Sequence, residues 1–334
     1  MGAPATVPAR LRLEIIPAGT PAGEAATTGA AVTPLWYTRG VDVRKRAALQ
    51  VAVAASLWGT WSIFLRWSGL PGLTSAAVLM TVLAFAGLPA QWRHRKRVRP
   101  RTVWPWMLLF GVLDSGNTGF FFLAIASGPV AIATLSHYLA PVLTPLTAYL
   151  LLRERPTSRT YVAAVIGLAG LALLLWPSPG VAGARVLAVT AALGAASAVF
   201  YATLVPLGKK LAPFFSPLEV QGIHSYVSAA LLWLVAAHTV PAPLAILKLL
   251  VGACLCGVIA GALLYDGIRY IPAGTAAVLT YLEPVVATAV GALVFHEAVG
   301  PTALLGAALV LGGGVYLAAE RRESGSAPPL ADQV

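Results

Sequence analysis

The sequence predicts an all-α integral membrane protein with ten transmembrane helices, arranged as two inverted five-helix repeats. Three observations lead to this fold class. The 334-residue chain is 58% hydrophobic and only 10% charged, whereas about 25% of the residues in a soluble domain are charged. Its apolar runs recur at lengths of about 20 residues, which is enough to cross a bilayer core of about 30 Å. Its second half also repeats features of its first half.

Hydropathy over a window of about 19 residues predicts spans near residues 47–67, 73–91, 103–125, 129–151, 159–177, 185–207, 217–237, 243–268, 272–294 and 300–319. The weakest separations, after the third and the eighth span, coincide with glycine or proline, which interrupt helices. We therefore divide the chain into a disordered N-terminal segment, two repeats and a disordered cytoplasmic tail, at residues 1–46, 47–177, 185–319 and 320–334.

The charges of the loops predict the orientation. With a cytoplasmic N-terminus, all but three of the 23 Lys and Arg residues fall on the cytoplasmic side, as the positive-inside rule requires. The exceptions, Arg66, Arg185 and Lys248, lie near the outer ends of spans. We expect a multi-pass protein of the cell inner (plasma) membrane with both termini cytoplasmic. The net charge of +11 then reflects orientation, and we expect no nucleic-acid partner.

A shift of 143 residues aligns residues 129–174 with residues 272–317. Each segment contains Tyr-Leu-x-Pro-Val, beginning at Tyr138 or Tyr281, and a glutamate thirteen residues after the proline. Because each repeat holds an odd number of spans, the second repeat enters the membrane the other way up. Inverted repeats build many secondary transporters, whose substrate sites lie near the membrane midplane between the repeats.

Five plus five spans, an L-x-P-V run in the fourth span of each half and a glutamate closing that span resemble the drug/metabolite transporter superfamily, and its EamA-type branch in particular. The run SLWG at residues 56–59 resembles a Trp-Gly often found in the first span of that branch. The resemblance implies a secondary transporter that exports amino acids, amines or other small metabolites, usually driven by protons. The usual Gly-Glu is Arg-Glu at residues 153–154 and His-Glu at residues 296–297, so no role is carried over to the residue before the glutamate.

Glu283 is the first candidate for binding a proton or a substrate amine. An ionisable residue within a span is costly unless function or a partner requires it, and the repeat counterpart of Glu283 is Ala140. Pro284 follows directly, and proline disfavours regular helix around itself and at the preceding residue. Nearby backbone carbonyls are then free to line a cavity, where a carboxyl suits reversible protonation. The alternative is a neutral structural carboxyl, hydrogen-bonded between helices.

The other candidates for the substrate and proton site are Asp114, Asn117, His137, Tyr138, His224, Tyr281 and Trp58. Two acids without a buried base suit a substrate that carries an amine, and histidine can relay protons near neutral pH. A structural role stays open for each residue. The acids, amide and histidines can form hydrogen bonds between helices, the tyrosines can fill the core, and Trp58 can lie at the lipid interface, where tryptophan is enriched.

Several functions are excluded by what the sequence lacks. No Lys or Arg lies near the middle of a span, although a phosphorylated substrate requires buried cations. The patterns of a P-loop motor and of a zinc protease do not occur, and the C-x-C pair at residues 254–256 is a poor zinc site. We expect no cofactor, no metal and no enzymatic activity. A passive carrier or channel, an intramembrane enzyme and a membrane scaffold are the rival hypotheses.

Three further features receive structural interpretations. Glu154 and Glu297 open short turns, where a carboxylate favours the N-terminus of the following helix. Asp266 and Arg269 have a spacing that predicts an ion pair on one helix. The three glycines at 312–314 permit close helix contact, and the sequence leaves open whether the partner helix belongs to the same chain or to a second copy in a homodimer.

Overall fold

The computed structural model describes residues 35–176, 183–236 and 242–318, and every regular element in those ranges is helical. The first half contains α1 Leu35–Gly59, α2 Trp61–Ser68, α3 Gly72–Ala86, α4 Leu88–Arg93, a 3₁₀ turn Arg101–Val103, α5 Trp104–Ser127, α6 Val130–His137, α7 Ala140–Leu152 and α8 Ser158–Leu174. The second half contains α9 Ala184–Leu211, α10 Pro217–Val235, α11 Pro243–Gly252, a π-helical segment Ala253–Ile259, α12 Ala260–Gly267, α13 Ala273–Leu279, α14 Leu282–Phe295 and α15 Pro301–Ala318.

The predicted terminal segments fall mostly outside these ranges. Residues 1–34 and the predicted tail, residues 320–334, lie outside the described residues. Helix α1 begins at Leu35, ahead of the predicted first span. We call residues 47–177 the first half and residues 185–319 the second half. Both halves belong to one compact unit, residues 41–334.

Seven helical segments are long and apolar enough to cross a membrane, namely Val43–Ser68, Gly72–Arg93, Arg101–Ser127, Val130–Leu152, Ala184–Leu211, Pro243–Gly267 and Ala273–Phe295. Two shorter apolar helices, Ser158–Leu174 and Pro301–Leu317, and α10 occupy the remaining predicted spans. Large apolar side chains face outward, and Leu234, Leu293 and Val315 are 75%, 78% and 68% exposed. Such an apolar surface suits contact with lipid. The chain is therefore a multi-pass membrane protein.

Two prolines break the fourth and ninth spans at corresponding places. A proline ring clashes with the carbonyl four residues earlier and offers it no N–H. Counted back from Pro141, that residue is His137, where α6 ends. Counted back from Pro284, it is Thr280, directly after the end of α13. The chain then makes a tighter turn before α7 or α14 begins.

The break in the ninth span lies slightly earlier than the sequence predicts. The sequence predicts irregular backbone at Glu283 itself, but Glu283 is already in the first turn of α14. Its N–H donates to the Thr280 carbonyl at 3.0 Å in a bond that spans three residues. Proline is tolerated in the first turn of a helix because the N–H that it lacks has no helical partner there.

The two halves pack against each other along most of their length. Helix α5 packs along α9, α3 along α10 and α8 along α15. Small residues permit this, and a Cβ added to Gly313 would lie 3.2 Å from the Ala163 carbonyl oxygen of α8. A Cβ on Gly312 or Gly314 would meet open space in the described part of the chain. Gly313 alone of the three thus serves a contact within the chain, and a homodimer stays a prediction.

Asp266, near the end of α12, and Arg269, just beyond it, do not form the predicted ion pair in the described part of the chain. Asp266 accepts a hydrogen bond from Gln50 Nε2 of α1 at 3.0 Å. Arg269 Nη2 donates to the Phe215 carbonyl at 2.7 Å. Arg269 Nε also donates to the Tyr265 carbonyl of α12 at 3.3 Å. Both side chains therefore have partners other than each other.

Candidate functional site

Four irregular stretches of helix meet around Glu283. They are the α1–α2, α6–α7 and α13–α14 junctions and the π-helical segment. A Cβ added to Gly59 would lie 2.6 Å from the Glu283 carbonyl oxygen, so the first junction touches the start of α14. Thr60 Oγ1 lies 3.3 Å from Cys256 Sγ, so the first junction also touches the π-helical segment. Irregular backbone within a membrane is tolerated where it is buried in protein or lines a cavity, and π-helical turns are frequent at functional sites.

Gly59→Ala tests this close approach. The added Cβ would also lie 2.7 Å from Val286 Cβ, so α14 must move to accept it. We expect the free energy of unfolding in detergent to fall by about 1–3 kcal/mol, as for overpacked cores, and transport to fall with it. Gly312→Ala, which adds the same methyl to open space on α15, is the matched control and is expected to leave both unchanged. Equal stability of the two variants would contradict the geometry.

Tyr138 and Tyr281, the two repeated tyrosines, stack on each other with ring centroids 5.9 Å apart. The Tyr281 hydroxyl donates to the carbonyls of Tyr138 and Ala164, both at 3.2 Å, and its ring lies against Gly167, where a Cβ would come within 2.5 Å of it. The Tyr138 hydroxyl lies beside the Glu283 carboxyl but forms no hydrogen bond of ordinary geometry within the described ranges. Tyr281 therefore fixes the position of Tyr138, whose own hydroxyl is left for a further partner.

The two tyrosines should respond differently to loss of the hydroxyl. Tyr281→Phe leaves buried carbonyls with one partner fewer, and we expect it to lower the free energy of unfolding by about 1–2 kcal/mol. Tyr138→Phe removes a hydroxyl that has no bonded partner in the described part of the chain, so we expect unchanged or higher stability and an altered pH dependence of transport. Thermal unfolding and flux measured on both variants provide the comparison. The reverse pattern would contradict the assigned contacts.

His137 is tied into a polar chain between α5, α6 and α9. His137 Nδ1 lies 2.8 Å from Ser197 Oγ. Ser197 Oγ lies 3.0 Å from Asn117 Oδ1 and donates to the Asn117 carbonyl at 2.8 Å. The His137 ring is stacked on Tyr201 at 4.9 Å between centroids. The structure thus connects His137 and Asn117 through Ser197, a residue that the sequence analysis did not single out.

Tyr201 is a second residue that the sequence analysis missed. Tyr201 lines a narrow crevice together with Thr280, Ala140 and Pro141, next to the α13–α14 junction. One signal could have identified it, because the shift of 143 residues that relates the halves carries Trp58 to Tyr201. Trp58, in contrast, is half-buried and packs into an apolar cluster between α1, α7, α9, α12 and α13, so it adjoins the site through Gly59.

Asp114 and His224 form a second centre between α5 and α10. Asp114 Oδ2 accepts a hydrogen bond from Ser228 Oγ at 2.9 Å and lies 3.5 Å from His224 Nε2. The other ring nitrogen of His224 lies 2.6 Å from the Val220 carbonyl oxygen. Phe110 stacks on His224 at 4.4 Å. These side chains hold one another in place through a closed set of partners.

The structure therefore groups the predicted residues into two centres. Glu283, Tyr138, Tyr281 and His137 form one, with Asn117 joined to it through Ser197. Asp114 and His224 form the other. Tyr265, a residue that the sequence analysis missed, lies edge-on to His224 with ring centroids 6.1 Å apart, beside the second centre. Within the described ranges, no group of three His, Cys, Asp or Glu side chains is placed to hold a metal ion.

Comparison with known families agrees with this architecture. The sequence pattern of the EamA-like transporter family matches residues 45–176 and again residues 188–319. The chain belongs to the EamA-like transporter family. The double match along this EamA-like chain fits the predicted two-repeat architecture.

Individual relatives cover most of the chain. A Bacillus subtilis (strain 168) protein named as the uncharacterized transporter YwfM is 27% identical over 285 residues, which are 84% of this chain and 96% of that protein. An uncharacterized transporter of Archaeoglobus fulgidus is 30% identical over 278 residues, which are 79% and 93% of the two chains. A solved crystal structure of a protein 24% identical in sequence superposes with a TM-score of 0.71 over 82% of this chain and 98% of the other, which shows a shared fold. This EamA-like chain is thus a member of a transporter family with several membrane-crossing helices.

Proposed function

We propose that this EamA-like protein is a proton-coupled secondary transporter that exports a small unphosphorylated metabolite with an amine, such as an amino acid, across the cell inner (plasma) membrane. The observation that carries the proposal is the Glu283 carboxyl beside the Tyr138 hydroxyl, which has no hydrogen-bond partner of ordinary geometry among the described residues, at the place where the helix irregularities meet. A buried polar group normally has a hydrogen-bond partner. A proton-carrying carboxyl, a bridging water or a substrate amine would each complete this pair.

The chemistry of the centre supports an ammonium group as the part of the substrate that is recognised. A carboxylate attracts a cation, and the faces of tyrosine rings add a weaker attraction. Tyr138 and Tyr281 stack on each other in this centre, and Tyr201 stacks on His137 beside it. Because one carboxyl cannot hold a proton and pair with an ammonium group together, proton and substrate compete for Glu283. Such competition couples export of the substrate to entry of a proton.

The second centre has a supporting role in this proposal. Asp114 already has Ser228 and His224 as partners, so it is less available to a substrate than Glu283. Asp114, His224 and Asn117 are proposed to line the polar side of the pathway, and His137 to hold Tyr201 by stacking. Trp58 is proposed to form the apolar wall beside Gly59.

The proposed architecture has ten spans in two inverted repeats, with both termini on the cytoplasmic side. The three helices outside the seven long apolar segments supply the fifth, seventh and tenth spans. Arg97 and Arg99 of the loop after α4 donate to the carbonyls of Pro213 and Phe214, so this loop and the one between α9 and α10 lie at the same end of the bundle. We propose that this end, which we call the basic face, is cytoplasmic.

We propose that the protein transports its substrate and does not act on it as an enzyme. The intramembrane enzyme considered above needs a pair of groups such as His137 and Asp114. His137 bonds to Ser197 and Asp114 to Ser228, so each belongs to a different centre. Membership of a transporter family also supports transport over catalysis.

The test of the proposal is proton flux into proteoliposomes that contain a pH-sensitive dye. Vesicles are challenged with amino acids, amines, sugars, nucleosides and sugar phosphates. We expect saturable proton flux with one or more compounds that carry an amine, and none with sugar phosphates. Saturable substrate uptake that does not respond to a pH gradient would replace the proposal with a passive carrier.

A further inference from the structure

Two ion pairs tie together the ends of the helix bundle. Lys209, near the end of α9, pairs with Glu154 in the turn between α7 and α8. Arg66, near the end of α2, pairs with Glu297 in the turn between α14 and α15, with Nη2 2.6 Å from Oε1. Lys209 lies at the basic face, and Arg66 lies at the other end of the bundle, where α3 begins. We call that end the opposite face.

The two pairs are related by the repeat. The shift of 143 residues carries Glu154 to Glu297 and Arg66 to Lys209, so one contact is made twice, once at each face. Each pair also crosses between the halves. Glu154 belongs to the first half and Lys209 to the second, whereas Arg66 belongs to the first and Glu297 to the second.

This arrangement restricts how the halves can move. In transporters built from inverted repeats, alternating access is largely the rocking of one repeat against the other around a central site. A contact that crosses between the halves at one face has to break when that face opens. The related contact at the other face stays formed while that face is closed.

We infer that Glu154–Lys209 is the gate of the basic face and Arg66–Glu297 the gate of the opposite face, and that the two pairs break alternately. The inference rests on the proposed transport function, since a gate has a role only in a transport cycle. It assigns a positioning role to four residues that lie outside the two central clusters.

The gate at the basic face is the more firmly closed in this conformation. The side chains of Lys209 and Glu154 are 11% and 26% exposed, against 53% and 50% for Arg66 and Glu297. Glu154 Oε2 accepts the Ala273 N–H at 2.9 Å, and Lys209 Nζ donates to the Ile271 carbonyl at 2.9 Å. At the opposite face the Arg66 guanidinium covers the Phe295 ring at 4.1 Å.

These contacts correct the structural interpretation of Glu154. The sequence predicts that Glu154 supports the N-terminus of the following helix, α8. That end is capped by Thr157 instead, whose Oγ1 accepts the Thr160 N–H at 3.2 Å. Glu154 bonds the first residue of α13 in the other half, because the turn directs its side chain toward the boundary between the halves.

Hydrogen–deuterium exchange of the full-length protein in lipid nanodiscs tests the inference. Glu154→Gln and Glu297→Gln keep the shape and one acceptor oxygen of each side chain but remove its charge. We expect Glu154→Gln to speed exchange in residues 268–276 at least about fivefold, a coupling typical between linked sites, and to slow exchange in residues 295–301. Glu297→Gln is expected to produce the reverse pattern.

The control variants distinguish a gate, whose loss changes exchange at both faces, from a contact that only stabilises its own face. Lys210→Gln removes the neighbouring charge, whose Nζ contacts the Leu151 carbonyl and the Trp106 ring, and Lys248→Gln removes a charge at the opposite face that is bonded to the Trp67 carbonyl. Neither should change exchange at the far end. Lys209→Gln removes the charge of the other member of the same pair and should give the same exchange pattern as Glu154→Gln.

Exchange that rises only at the altered end, or at both ends, would overturn the inference. The exchange measurement needs neither substrate nor a proton gradient, so its result can be judged separately from the flux experiment that tests the proposed function. If exchange changes reciprocally but the protein moves no protons, the alternating ion pairs are supported and proton coupling is contradicted. If the protein shows proton-coupled flux but no reciprocal change in exchange, proton coupling is supported and the alternating ion pairs are contradicted.

Discussion

Glu283→Gln is expected to abolish accumulation of the substrate against its gradient while leaving the protein folded. One pH unit corresponds to about 1.4 kcal/mol for each proton moved, which supports a concentration ratio of about tenfold. The wild type should approach that ratio in proteoliposomes with one pH unit imposed across the membrane. The variant should stay near equal concentrations, because its amide has nearly the same shape as the carboxyl but cannot exchange a proton. The measurement is steady-state accumulation of a labelled substrate identified in the flux panel.

Asp266→Asn is the matched control for Glu283→Gln. It makes the same change from carboxyl to amide within a helix, but Asp266 is bonded to Gln50 of α1 and belongs to neither centre. We expect its accumulation ratio to equal that of the wild type. Accumulation by Glu283→Gln that still follows the imposed pH gradient would move the protonated group elsewhere, with Asp114 as the next acid to test.

Arg99→Met is expected to cause the largest loss of stability. Glu219 is 1% exposed, and its carboxylate pairs with Arg99 and lies 3.1 Å from His94 Nδ1. Ser216 donates to the same carboxylate through its N–H and its hydroxyl, both at 2.9 Å. Removing one member of a buried pair leaves the other charge uncompensated, which costs about 3–5 kcal/mol. Unfolding in detergent, monitored by circular dichroism, measures the loss.

The double variant Arg99→Met with Glu219→Met provides the control for that prediction. Replacement of a whole buried ion pair by apolar side chains is often neutral, so the double variant should be more stable than Arg99→Met alone. A single variant that loses less than about 1 kcal/mol would instead match an exposed pair. That result would mean that the carboxylate keeps its charge satisfied through Ser216 and His94.

The fold class could be predicted from sequence because its causes are local. Apolar runs long enough to cross a bilayer predict membrane helices, and prolines after Tyr138 and Tyr281 predict breaks at corresponding places. The all-helical structure with seven long apolar segments agrees with the predicted class, and the count of ten spans stays a prediction. Glu283 is helical where irregular backbone is predicted. The first turn of a helix tolerates proline, and the sequence does not show that α14 starts just before Pro284.

The grouping of the polar residues could only be predicted in part. The depth of a residue within a span is readable from sequence, but the rotation of its helix is not. Asp114 and Asn117 lie three residues apart on α5, yet one contacts Ser228 of α10 and the other Ser197 of α9. Tyr201 and Tyr265 gave no signal of their own, because a tyrosine in an apolar span can simply fill the core. For Tyr201, the repeat alignment would have given a signal if it had been extended to Trp58 in the first span.

The most direct test of the central claim is the release of protons when substrate binds to the detergent-solubilised protein in weakly buffered solution. Competition at one carboxyl predicts that the wild type releases protons on binding, with a substrate affinity that rises with pH. Glu283→Gln should bind, if at all, without proton release and without that pH dependence. Substrate binding by the wild type with no proton release, or equal release by Glu283→Gln, would contradict competition of proton and substrate at Glu283.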